Sequence, residues 1–188
     1  MQILKSFIKR ILEKGTILGN VYVDVGAHRG GIAELLIKHN PDTECHLIEP
    51  FSRNCKILKN KGFNVNRYAI AGYNGEVSLY YRNDRKGTKS CSIKKSQLEA
   101  YSLKKEKVPC ITLDSFCKNI KQIDVLKMNC EGAEYEIFEA PCEWLKKTTV
   151  IFLQLHAGQG IIMNKLENAG FVLKKEKGSL RSNQWWSK

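Results

Sequence analysis

Two rhythms of apolar and polar positions alternate along this chain. Near its start, Ile3, Leu4, Phe7, Ile8, Ile11 and Leu12 recur at the helical period with Lys5, Lys9, Arg10 and Lys14 mostly between them. Residues 1–15 therefore read as an amphipathic helix ending near Gly15. Its apolar face can pack on the rest of the domain or rest on a membrane surface or a partner. Beyond it, short apolar runs alternate with helix-spaced segments. Val21–Val25 reads as a first strand, Gly31–His39 as a helix, Glu44–Ile48 as a second strand, Ser52–Asn60 as a helix with Ser52 as candidate cap, and residues 63–70 as a third strand. Residues 123–129 supply a fourth strand, a helix starts around Ala133, and the almost wholly apolar run 148–156 reads as a central fifth strand. A helix over Ile161–Ala169, stopped by Gly170, precedes two last strands at 171–177 and 181–188. This order predicts an α/β fold with a mostly parallel sheet covered on both faces.

The middle of the chain breaks the rhythm. GEVSLYYR, residues 75–82, reads as an exposed strand, and VPCITL, residues 108–113, resumes one before a short helix capped by Asp114. Between them, residues 82–107 form a polar, basic insertion too long for an ordinary connection, placed to act as a lid or a solvated loop. Residues 81–107 hold nine Lys or Arg against three acids, half of the chain's net +12. Such a segment attracts phosphate, carboxylate, anionic lipid or nucleic acid.

A length of 188 residues suits a single domain, 1–188, with its own core. No run of about 18 apolar residues predicts a membrane span, and the charged N-terminus lacks the pattern of a signal peptide. Seven cysteines without CxxC spacing point to a reducing, cytoplasmic compartment rather than a disulfide framework. Four histidines and no compact His/Cys cluster give no support for a metal site.

The candidate chemistry lies where strands end. In YVDVGAHRGG, residues 22–31, an apolar strand runs into glycines just before a helix, which presents backbone N–H groups to a nucleotide-like ligand. Asp24 and Gly26 close that strand, and Gly26 and Gly30 permit tight chain paths. Glu49 ends the second strand 23 residues past Gly26, placed for the two hydroxyls of a ribose. Together they indicate an adenosine-containing cofactor. A second constellation, residues 123–139, delivers Asn129 to the same sheet edge, with Glu131 and Gly132 in the turn and Glu134 in the first turn of a helix. His156 ends the fifth strand on that edge. As a neutral imidazole it can take a proton from an attacking hydroxyl, or it can be a satisfied half-buried histidine.

YVDVGAHRGG, LIEPF, YAIAGYNGEVSLY, ITLDSF and IDVLKMNCEGAEYEIFE, in that order over roughly residues 21–140, resemble the FkbM family of S-adenosylmethionine-dependent methyltransferases, within the class I methyltransferase fold. The resemblance implies a seven-stranded sheet of order 3-2-1-4-5-7-6 with the seventh strand antiparallel. It implies that Asp24, Gly26, Ala27, His28 and Gly30 surround the methionine part of S-adenosyl-L-methionine and that Glu49 takes the ribose hydroxyls. It further places Pro50 and Phe51 beside the nucleoside, and Ala69 and Ile70 near the adenine. Asn129 stands where the family commonly has aspartate, while Glu131 and Glu134 keep the family acids. The implied reaction is direct methyl transfer to a hydroxyl of a sugar, glycan or small metabolite, an anionic one included, with His156 or Glu131 removing the proton.

Three other readings compete. A dehydrogenase would also use Glu49 on ribose, but the chain lacks the GxGxxG fingerprint. A nucleic-acid methyltransferase is favoured by charge, although CEGAEY is unlike an NPPY pocket. A catalytically degenerate binding domain draws on the amide at residue 129.

Overall fold

A computed structural model of the protein describes residues 8–9, 19–82, 91–95, 103–156, 159–177 and 182–188. In chain order the first part contains β1 (Val21–Val25), α1 (Ala33–His39), β2 (Glu44–Ile48), α2 (Ser52–Asn60), β3 (Val65–Asn66) and β4 (Ala69–Ile70). β5 (Gly75–Arg82), β6 (Cys91–Ser92), β7 (Leu103–Ile111) and α3 (Leu113–Phe116) follow. The last part contains β8 (Ile123–Met128), α4 (Glu134–Glu139), a 3-10 turn (Glu143–Lys147), β9 (Thr148–Leu155), α5 (Gln159–Asn168), β10 (Val172–Lys177) and β11 (Ser182–Ser187).

Seven strands form the main sheet in the order β3-β2-β1-β8-β9-β11-β10. Numbered within that sheet, this is 3-2-1-4-5-7-6, and β11 runs antiparallel to β9 and β10. The run of β-branched and aliphatic residues in β1, β8 and β9 fits strands buried on both faces. Strand alternation divides them between two cores. Val23, Val25, Leu126, Met128, Ile151 and Leu153 face Phe138 and Trp144. Tyr22, Val125, Val150 and Phe152 face Ala33, Leu36, Leu58 and Ile8. Each large apolar side chain so buried stabilises the fold by about 1.5–3 kcal/mol. Because β1 is hydrogen-bonded to β2 on one side and β8 on the other, all parallel, three carboxyl ends meet at one edge.

A smaller sheet of order β4-β7-β5-β6 packs beside that edge around Phe51, Ala69, Leu79 and Val108. It alters several expectations. Residues 63–70 are not one strand, because Tyr68 N–H bonds the carbonyl of Asn66 at 3.0 Å and turns the chain from the main sheet into the smaller one. The strand expected from Val108 begins at Leu103, so the end of the basic insertion is paired with β5. Residues 83–90 and 96–102 of the insertion lie outside the described residues, as does the N-terminal helix apart from Ile8 and Lys9.

Two helix caps also differ. Ser52 does not cap α2; its N–H and hydroxyl both donate to the Glu106 carboxylate at 3.0 Å, so the cap comes from β7. In α3, the Thr112 hydroxyl accepts from Ser115 N–H at 3.1 Å. Asp114, two positions past the cap, instead accepts from Cys142 N–H at 3.0 Å and Trp144 N–H at 2.9 Å. It thereby secures a left-handed residue, Cys142 at φ 61°. Among the described residues, no helix is long and apolar enough to cross a membrane.

Asp114→Ala leaves two backbone donors without their acceptor and should lower unfolding free energy by about 1–3 kcal/mol. Urea denaturation measures this, and a change within about 0.5 kcal/mol contradicts the anchoring role.

Candidate active site

At the carboxyl end of β1 the chain turns sharply. Gly26 adopts φ +77°, and a Cβ there would lie 2.1 Å from the Asn129 carbonyl oxygen, so only glycine fits between the ends of β1 and β8. The turn is held by Gly26 and Ala27 N–H groups, both 3.0 Å from the Ile48 carbonyl. His28, at φ 55°, then directs its N–H to Glu49 Oε2 at 2.7 Å. Glu49 Oε1 accepts from Phe51 N–H at 3.0 Å and Asn54 Nδ2 at 3.3 Å. Burial pushes the Glu49 carboxyl up to about 7, against the pull of those hydrogen bonds and of Lys127.

Beneath this loop lies a buried ion pair. Asp24 and Lys127 are partners in the β1–β8 register, and their side chains are 2.8 Å apart at 0% and 3% exposure. Lys127 Nζ also donates to the Gly26 carbonyl at 2.6 Å. It therefore fixes the conformation of the turn.

On the other side of β8, Glu131 stands at φ 52°, and the Ser92 hydroxyl of β6 donates to its carbonyl at 2.7 Å. Glu134 is fully buried and accepts from Cys130 and Gly132 N–H, each at 2.9 Å. His156 Nδ1 lies 3.0 Å from Glu134 Oε1, and His156 Nε2 lies 3.5 Å from Glu131 Oε2. An ionised Glu134 calls for the ring proton on Nδ1, leaving Nε2 as an acceptor turned toward Glu131. Neighbouring Cys130 is held as a neutral thiol by burial and the charge of Glu134.

A cavity of about 470 Å³ runs along this edge. Of the residues expected at the site, Gly26, His28, Glu49, Pro50, Ala69, Ile70, Asn129 and Glu131 line it. Asp24, Ala27, Gly30, Phe51 and His156 are not on its wall. Asp24 is engaged by Lys127, and Gly30 packs on Leu58 and Phe63. Phe51 packs against Tyr81 with the ring centroids 4.8 Å apart and the planes tilted by 47°, and His156 sits behind Glu131. Asn54, Arg29 and Gln154 are among the lining residues that escaped the sequence analysis. Gln154, a polar residue within an apolar strand, was the visible signal, as was Lys127 for the ion pair.

Among the described residues, no group of three or more His, Cys, Asp or Glu side chains is placed to hold a metal ion. A 3-2-1-4-5-7-6 sheet with a nucleoside-sized cavity across the ends of β1, β2 and β8 is the architecture of class I S-adenosylmethionine-dependent methyltransferases. The chain belongs to the methyltransferase FkbM domain family, whose model matches residues 24–173. S-adenosylmethionine is its cofactor. A search of curated proteins gave no match. Among solved structures, a candidate RNA methyltransferase from Pyrococcus horikoshii is similar at 14% identity and TM-score 0.54, covering 100% of this chain and 84% of that one. Precorrin-6y C5,15-methyltransferase from Geobacter metallireducens gives 11% and 0.53, with 97% and 87% covered. TrmK of M. capricolum, in complex with its cofactor product S-adenosylhomocysteine, gives 12% and 0.52, with 97% and 67% covered. The likeness to all three is one of fold.

The raised Glu49 carboxyl has a consequence for stability. Folded protein binds this proton more tightly than the unfolded chain, so the contribution is present below pH 4.5 and is lost as pH rises through about 7. Relative to Glu49→Gln, unfolding free energy should fall by about 3 kcal/mol across that window. Urea denaturation at several pH values checks this; a parallel pH dependence in the two proteins contradicts it.

Proposed function

We propose that this protein methylates a hydroxyl of a sugar, glycan or small metabolite. S-adenosylmethionine supplies a methyl group on an electrophilic sulfonium, so the protein has to hold it, align the acceptor, exclude water and take a proton. The residues present fit the cofactor. The Glu49 carboxylate is presented at the cavity, and its longest bond, 3.3 Å from Asn54, is the readiest to yield to ribose hydroxyls. Ile48, Ala69 and Ile70 offer an apolar wall for the adenine, with Pro50 and His28 at its border. Asn129 Oδ1 is buried without a hydrogen-bond partner among the described residues, an acceptor in want of a ligand donor. Gly26, Ala27 and Gly30 shape the loop around the methionine part, while Asp24 and Phe51 act from behind the wall.

The observation that carries the reading is the stacking of Glu131, His156 and Glu134 into one line from the cavity inward. A hydroxyl is a weak nucleophile until its proton has somewhere to go. Glu131 takes that proton at the cavity wall, His156 Nε2 shares it, and buried Glu134 balances the imidazolium. In this division of labour Glu131 meets the acceptor and His156 supports it. Exposed Lys104 and Lys105 on β7 favour nucleic acid as a second reading, but neither lines the cavity.

Glu131→Gln should lower kcat about 100- to 1,000-fold while leaving S-adenosylhomocysteine affinity unchanged. His156→Gln should lower kcat less and move the pH profile. Transfer of a labelled methyl group to a panel of methyl glycosides, with calorimetry for cofactor binding, provides the readout. Undiminished kcat in both variants removes the proton relay. Glu49→Ala should weaken S-adenosylhomocysteine binding about tenfold or more, and unchanged affinity removes the ribose assignment.

A further inference from the structure

Gln154 is 6% exposed, yet it lines the cavity from β9. In the β9–β11 ladder it stands directly opposite Asn183, and its Nε2 donates to Asn183 Oδ1 at 3.2 Å. This bond fixes which end of the amide is spoken for. Gln154 Oε1 accepts no hydrogen bond among the described residues, so a carbonyl is left for whatever fills the cavity. A core position with Phe152 on the same strand face has no packing need for an amide.

The neighbours of Gln154 have the same character. Asn129 Oδ1 and the Glu131 carboxylate present acceptors on the β8 side of the cavity. Among the described residues lining the cavity, Arg29 is the single Lys or Arg, and it lies on the loop after β1, across β8 from β9. Lys94, on the insertion, forms an ion pair with Glu136 instead of facing the cavity. Among the described residues, the basic surplus is therefore not focused on the cavity wall.

On the reading that this cavity binds both cofactor and acceptor, we infer that Gln154, oriented by Asn183, recognises a second hydroxyl of the acceptor beside the one that is methylated. The acceptor is accordingly a neutral polyol of the sugar class at its reacting end. A phosphate or carboxylate there would meet Glu131 and two carbonyl dipoles, while Arg29, the one Lys or Arg among the described lining residues, lies across β8.

The test uses the unmodified protein saturated with S-adenosylhomocysteine and a set of neutral methyl glycosides at millimolar concentration, with their single-deoxy and phosphorylated counterparts, followed by ligand-observed NMR. The expected result is binding of at least one neutral glycoside, a loss of about tenfold or more on removal of one hydroxyl next to the reacting position, and weaker binding of its phosphorylated form. Gln154→Met should lose the discrimination between that glycoside and its deoxy analogue while still binding S-adenosylhomocysteine. Tighter binding of the phosphorylated form, no binding of any glycoside by the loaded protein, or discrimination retained in Gln154→Met overturns the inference. Failure of the unmodified protein to bind S-adenosylhomocysteine instead overturns the underlying assignment of the cavity. The deoxy series needs no variant, so a misfolded Gln154→Met leaves it decisive.

Discussion

A lysine ammonium sealed between two parallel strands is the constraint on which the reactive edge depends. Lys127 and Asp24 are both almost completely buried, and neither could be tolerated there alone, because an unpaired charge in such surroundings costs several kcal/mol. Their attraction roughly offsets the desolvation of both, so the pair adds little net stability. What it contributes is position. The same ammonium reaches the Gly26 carbonyl, so the end of β1, the turn after it and the end of β8 are locked in one arrangement. The His28 N–H that meets Glu49 and the approach of Gly26 to Asn129 both follow from that arrangement.

Much of this was legible in the residue pattern. Short apolar runs marked β1, β2, β8 and β9, and glycines after β1 with an acid after β2 located the cofactor edge. Of the smaller sheet, β5 and the end of β7 were legible as strands, but the rest was not, because β4 and β6 are only two residues long and draw their stability from pairing with distant partners. Caps supplied from afar were equally hidden: nothing near Ser52 announces that Glu106 will serve it. The candidate site was read as one shell of residues and is in fact two. Asp24, Phe51 and His156 stand behind the groups that face the cavity, and depth of this kind has no signature in linear spacing.

Charge and chemistry are kept apart in this fold. The basic residues of β7 are exposed, whereas the described lining of the cavity holds acids, amides and apolar walls with a single Lys or Arg, Arg29. Long-range attraction of an anionic molecule to the surface and recognition at the reacting atom are therefore separate problems, handled by different strands. Two left-handed non-glycine residues, His28 and Glu131, flank the cavity. Each is held in a sparsely populated conformation by hydrogen bonds, the pattern expected where side-chain placement matters more than backbone ease.

The hydrogen bond from Ser92 to the Glu131 carbonyl spans 39 residues of sequence, and Lys94 adds an ion pair to Glu136 on α4. The stretch of chain that walls the cavity is thus bolted to the turn that carries the reactive carboxylate. Remodelling that wall for a new molecule would also displace the carboxylate, so in this lineage changes of taste and losses of speed would tend to arrive together.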